Sequence, residues 1–200
     1  MRELWAKGNI WLLTIVAAAV GVWMAFSWTD MPTGQKALVF FLFALTLHEW
    51  EEMRFPGGFY ELMLKKFGVT SATQMQKDFS HGAVVIAIAF FSLAPIFVWP
   101  YAPWVAGIPA VLGFFEAIIH IVGIKIHHLA KPYSPGMATA LLLMLPAAIG
   151  IVAFAMPGVS WAGWLAALGS YVAIFVCMDI AVWRIFGLSP REVASSLRGE

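Results

Sequence analysis

Residues 47–53 read Leu47-His48-Glu49-Trp50-Glu51-Glu52-Met53, and they close an apolar run that begins at Ala37. Hydrocarbon does not solvate charge, so ionisable side chains at the end of such a run pair with one another or serve a function. A helix turns about 100° per residue, which puts Glu51 and Glu52 about 60° and 40° to either side of His48, on one face. Glu49 points about 100° away from His48 and reads as an anchor at the membrane interface. One imidazole and two carboxylates on a single helix face suit a metal ion or a proton relay.

The remainder of the chain sets this motif in a membrane. Of its 200 residues 62% are hydrophobic and only 12% charged, against about 25% charged in soluble domains. Six apolar runs stand out, at about 10–28, 37–53, 81–99, 104–127, 137–156 and 161–183. Each approaches the roughly 20 residues that cross about 30 Å of hydrocarbon. The expected fold is therefore all-α: one integral membrane domain over 1–200, a bundle of six transmembrane helices whose principal partner is the lipid bilayer. A net charge of +1, with no basic stripe outside the loops, argues against nucleic acid as a partner. Cys177 is the only cysteine, which excludes an intrachain disulfide and a thiolate zinc cage; it reads as a packed side chain. Arg2 and Lys7 ahead of a long apolar run predict a retained first span rather than a cleaved leader.

Between the spans, Pro56-Gly57-Gly58 ends the second helix, since proline cannot continue the backbone ladder. Residues 59–67 place Phe59, Tyr60, Met63, Leu64 and Phe67 on one side and Glu61, Lys65 and Lys66 on the other. That pattern predicts a short helix lying in the interface plane. The third span is expected to open near His81, with Asp78 or Ser80 as its N-cap. Residues after Gly187 read as a polar tail, and no internal repeat is visible.

Lysine and arginine in the connections set topology. With the N-terminus inside, eleven of the 12 basic residues fall on the inner side, and only Lys36 falls outside. Both termini are then cytoplasmic. In that arrangement His48, Glu51 and Glu52 lie at the inner end of the second helix, and His81 opens the third on the same side. Glu116, His120 and His127 share one face of the fourth span within about 40°, whereas His128 points about 120° away. Glu116 precedes His127 by about 16 Å of helical rise, so it lies well inside the span. Every histidine thus belongs to the cytoplasmic half.

Imidazole and carboxylate together suit zinc, iron or manganese. The expected site holds one or two divalent ions on His48, Glu52, Glu116 and His120, with His81 or His127 completing the shell. Glu51 is the expected proton carrier and a further ligand. In spacing, His48-x-x-Glu51-Glu52 follows the H-x-x-E-H arrangement of inverted zinc peptidases with the last histidine exchanged for Glu52. Two helices contributing Glu and His also parallel di-metal bundles in chemistry, though Glu116 and His120 are spaced i, i+4. Asp179 and Arg184 of the last span are expected to pair with each other, and His128 to be solvated.

The His48-Glu49-Trp50-Glu51-Glu52 element at the end of a second apolar segment, followed by Glu116-x-x-x-His120, resembles the HXXEE-domain family, small bacterial polytopic membrane proteins named for this motif. The likeness covers the second to the fifth helix. It implies a bacterial inner-membrane location and carries over His48, Glu51 and Glu52 as site residues, but no activity. From the residues themselves the leading expectation is a membrane metalloenzyme, a hydrolase or an oxidoreductase. Its substrate would be lipid-like or amphiphilic, because a site in the inner leaflet is entered most easily from there. The alternatives are a transporter or channel for metal ions or protons, which needs a polar path to the outer face, and a structural protein whose polar cluster locks helix packing.

Overall fold

A computed structural model describes residues 2–69 and 72–198. Among the described residues every regular element is helical. In chain order they are α1 (Arg2–Phe26), α2 (Thr33–Met53), α3 (Phe59–Lys66), α4 (Gln74–Val98), α5 (Pro103–Ile126), α6 (Met137–Phe154), α7 (Trp161–Ile185) and α8 (Pro190–Arg198).

Five segments are long and apolar enough to cross a membrane: Gly8–Phe26 of α1, then α4, α5, α6 and α7. Helix α2, the remaining expected span, has 21 residues, or about 31 Å of rise. It falls outside that set, and its sequence explains why: Lys36 stands near one end and His48, Glu49, Glu51 and Glu52 near the other. Burial distinguishes it further. Leu38, Val39, Phe41, Leu42, Ala44 and Leu45 are all buried, so α2 presents apolar side chains to protein on nearly all sides. Helix α7 is the opposite case, with only 11% of its apolar window buried and Trp161 and Leu165 exposed. An outer surface this apolar is stable against hydrocarbon, where the backbone is satisfied within each helix. Helix α2 is the axis, with α1, α4 and α6 against it, while α5 packs on α6 and α7.

Close approach at the axis depends on Gly113. A Cβ there would stand 2.8 Å from both the Ala148 methyl carbon and Phe41 Cε2, so α5, α6 and α2 converge where small residues let backbones meet. Helices α4 and α6 each contain a wide π turn, Ala89–Leu93 and Ala140–Met144, immediately ahead of Pro95 and Pro146. Proline lacks an N–H and crowds the carbonyl four residues back, and the wider turn accommodates both defects.

Helix boundaries differ from expectation in two places. Helix α4 starts at Gln74, seven residues before His81, and neither Asp78 nor Ser80 is its cap. Thr73 Oγ1 accepts from Gln76 N at 3.2 Å and Gln76 Oε1 accepts from Thr73 N at 2.9 Å. This reciprocal capping box is encoded in Thr73-Gln74-Met75-Gln76. The polar tail is also ordered into α8, where Ser189 and Glu192 exchange the same pair of bonds around Pro190. Helix α3 falls where the amphipathic pattern puts it.

Candidate metal centre

Two helices supply the polar centre, each through an i, i+4 pair. Helix α2 contributes His48 and Glu52, and α5 contributes Glu116 and His120. The four terminal atoms form a ring: Glu52 Oε1 lies 3.5 Å from His48 Nε2 and 3.3 Å from His120 Nε2. Glu116 Oε2 lies 3.5 Å from His120 Nε2 and 3.7 Å from His48 Nε2. His48, Glu116 and His120 each offer a ligand atom within 4.8 Å of the other two. Around zinc, donors at 2.0–2.1 Å in tetrahedral array stand about 3.3–3.4 Å apart, so the edges of the ring have the scale of a single coordination shell.

The outer nitrogens of both histidines are committed, which turns the inner ones toward the carboxylates. His48 Nδ1 donates to the Gly136 carbonyl at 3.1 Å, and Thr139 Oγ1 is at the same distance. A carbonyl only accepts, so Nδ1 carries the proton. His120 Nδ1 is 2.9 Å from Ser134 Oγ, whose hydroxyl donates to the His120 carbonyl at 3.3 Å. Ser134 therefore accepts from the ring. Both Nε2 atoms are left facing inward, the orientation that second-shell partners impose on metal-binding histidines. His120 Nε2 is buried and has no hydrogen-bond partner. Buried nitrogens of this kind are rarely left orphaned.

A loop roofs the ring. Gly136 has φ +91°, and a Cβ on it would stand 2.7 Å from Glu52 Cγ, His120 Cε1 and His48 Cε1. Glycine alone tolerates this φ at no steric cost while letting its backbone touch all three side chains.

Glu51, expected as ligand and proton carrier, lies outside the ring. Its Oε1 accepts from Tyr133 Oη at 2.6 Å and Ala138 N at 3.1 Å, and its Oε2 from Thr139 N and Thr139 Oγ1 at 2.7 and 2.5 Å. A carboxylate at the first turn of α6 satisfies N–H groups that have no partner within the helix and complements the helix dipole. Burial and the Glu51 carboxylate push the Tyr133 phenol well above its usual range.

His81 and His127 also stand apart. His81 Nδ1 donates to Asn9 Oδ1 at 2.7 Å, since Asn9 Nδ2 is committed to the Asp78 carbonyl. Its Nε2 is 3.1 Å from Glu49 Oε2. Both nitrogens of His81 therefore have a buried oxygen partner. Glu49 is thus a buried partner of α4, not an interfacial anchor; its 100° offset from His48 was the available signal. His127 caps the end of α5, and burial followed by the Lys66 charge holds its imidazolium below the ordinary range. His128 is exposed with φ +50°. Asp179 has no ion pair with Arg184 within the described residues, and Cys177 is exposed on the apolar exterior.

The residues that sequence reasoning passed over lie in the 130–139 segment: Tyr133, Ser134, Gly136 and Thr139. Each acts through a hydrogen bond or backbone contact across 14 to 91 positions, which no local period reports.

Beside the ring is a cavity of about 360 Å³ between α2, α3, α4, α5 and α7, lined mainly by apolar side chains. His48, Glu52, Glu116, His120, His81, His127 and Asp179 all reach it.

Residues 39–153, more than half of the chain, match the family described as "protein of unknown function with HXXEE motif". No curated protein and no solved structure matches the chain.

Proposed function

The chain belongs to the HXXEE family, and for it we propose an integral membrane metalloenzyme whose single ion is held by His48, His120 and Glu116, with Glu52 closing the shell. The observation that carries this reading is the pair of inward Nε2 atoms, oriented by Gly136 and Ser134 and flanked by two carboxylates. Two imidazoles and carboxylates suit zinc or iron. One compact group of three donors favours one ion over two.

The bound ion would activate water or polarise an oxygen of the substrate. His48 and His120 would hold it through Nε2. Glu52 and Glu116 both face the centre, and either would serve there as the proton acceptor for a water. Glu51 fixes the start of α6, and through it Thr139 and the Gly136 loop, and so acts as a positioning residue. Helix α2 is read as the sixth crossing helix, with both termini cytoplasmic because the basic residues gather at that end. The substrate is lipid-like or amphiphilic, since an apolar cavity adjoins the centre.

Elemental analysis of detergent-purified protein tests the reading. One equivalent of zinc or iron is expected, lost in His48→Ala and His120→Ala and retained in Glu49→Gln. A folded, monodisperse wild type that takes up no metal on reconstitution overturns it.

A further inference from the structure

The cavity beside the centre has a definite length and charge pattern. On α5 its lining runs from Leu112 to His127, about 22 Å of rise. A volume of about 360 Å³ lies at the small end of the range for pockets that take one small ligand. Its deep end is apolar, walled by Leu112, Phe91 and Phe175, and Trp183 and Phe186 line it towards the end of α7. The ring of His48, Glu52, Glu116 and His120 opens onto it partway along.

Charge decides which way round an occupant lies. Asp179, which has no ion pair among the described residues, borders the cavity beside the ring, which disfavours an anion there. Lys66, from amphipathic α3, reaches the cavity at the end of α5 where His127 stands. Among the described residues Lys66 has no carboxylate partner, whereas Lys77 is paired with Glu61. A cation left unpaired at the mouth of an apolar slot complements an anionic head.

From this geometry we infer that the cavity binds a single-chain amphiphile with an anionic head, the head at Lys66 and His127 and the chain running inward past the His48–Glu116–His120 centre. This deepens the metalloenzyme reading and rests on it only for what the chain passes. The ligand chemistry is that of a long-chain fatty acid, and the chain, not the head, is presented to the centre.

Binding of radiolabelled palmitate to the full chain in neutral-lipid nanodiscs, after dialysis against EDTA, tests the inference apart from metal. Saturable binding is expected. Lys66→Glu should weaken palmitate by about tenfold or more and leave hexadecanol, the neutral analogue, unchanged. Met178→Trp, or Val84→Phe if that variant misfolds, should exclude both ligands by narrowing the slot. Absence of saturable palmitate binding to folded protein overturns the inference, as does equal loss of palmitate and hexadecanol in Lys66→Glu. Equal competition by a two-chain phosphatidic acid overturns the single-chain assignment. Metal content measured on undialysed samples keeps the two readings separable: palmitate bound by a protein that never holds metal sinks only the metal centre, and metal held without palmitate sinks only this inference.

Discussion

His48 and Gly136 are 88 positions apart, yet the Gly136 carbonyl accepts from His48 Nδ1 at 3.1 Å while its Cα leaves no space for a Cβ beside His48 Cε1. One backbone unit thus sets the tautomer of the ring and limits its position. A histidine held this way presents Nε2 before any ion arrives, the preorganisation that second-shell contacts supply.

Gly136→Ala should therefore damage fold and site together. The new methyl meets three site side chains at 2.7 Å, and a φ of +91° is strained for any residue with a Cβ, a cost of about 1–3 kcal/mol. The expected result is a lowered thermal midpoint with reduced metal content. Wild-type values for both would show that the loop does not roof the centre.

Ser134→Ala separates site from stability. It removes the acceptor for His120 Nδ1, freeing the ring to rotate or change tautomer. Metal affinity should fall about 10–100-fold, read by competition with a chromophoric chelator, with circular dichroism unchanged.

Glu51→Ala should act through α6. Four donors lose their acceptor, two of them backbone N–H groups at the helix start; hydrogen bonds to charged groups contribute about 1.5–3 kcal/mol each. A large loss of stability is expected, and Thr139→Val should reproduce part of it. Full stability with abolished turnover would instead make Glu51 the proton carrier that its place in the motif suggests.

Breaking the His81–Glu49 pair tests whether it is separate from the centre. His81→Ala strands a buried carboxylate, which costs about 3–5 kcal/mol, yet metal stoichiometry should persist in whatever protein folds. Loss of metal with stability intact would return His81 to the shell.

His127 gives a pH signature. Burial and the neighbouring Lys66 favour its neutral form, so its folded pKa lies below the ordinary 6.5. Its contribution to stability is present above 6.5 and is lost as pH falls through the folded pKa. Imidazole NMR should show a midpoint below 6.5 that rises in Lys66→Gln; an unchanged midpoint would remove the lysine as a cause.

The helices were legible because their signals are local. Apolar run length marked α1, α4, α5, α6 and α7, and the 3.6-residue period put His48 with Glu52 and Glu116 with His120 on single faces. The start of α4 was legible too, in Thr73-x-x-Gln76, although His81 and the apolar run drew the boundary later. Angular position cannot say which neighbour a face will meet, however. Glu51 and Glu52 sit about 60° and 40° to either side of His48, and only packing sent one to the first turn of α6 and the other to His120.

The amino-acid sequence by itself determined that this is an all-helical membrane chain with histidine and carboxylate pairs on single helix faces, because hydropathy and helical periodicity act over a few residues. Tertiary structure alone decided that Ser134 and Gly136 orient the two imidazoles, that Glu49 belongs to His81, and that an apolar slot with Lys66 at its mouth adjoins the centre. Those relationships join residues up to 88 positions apart, and they exist only once helix packing has brought the backbones together.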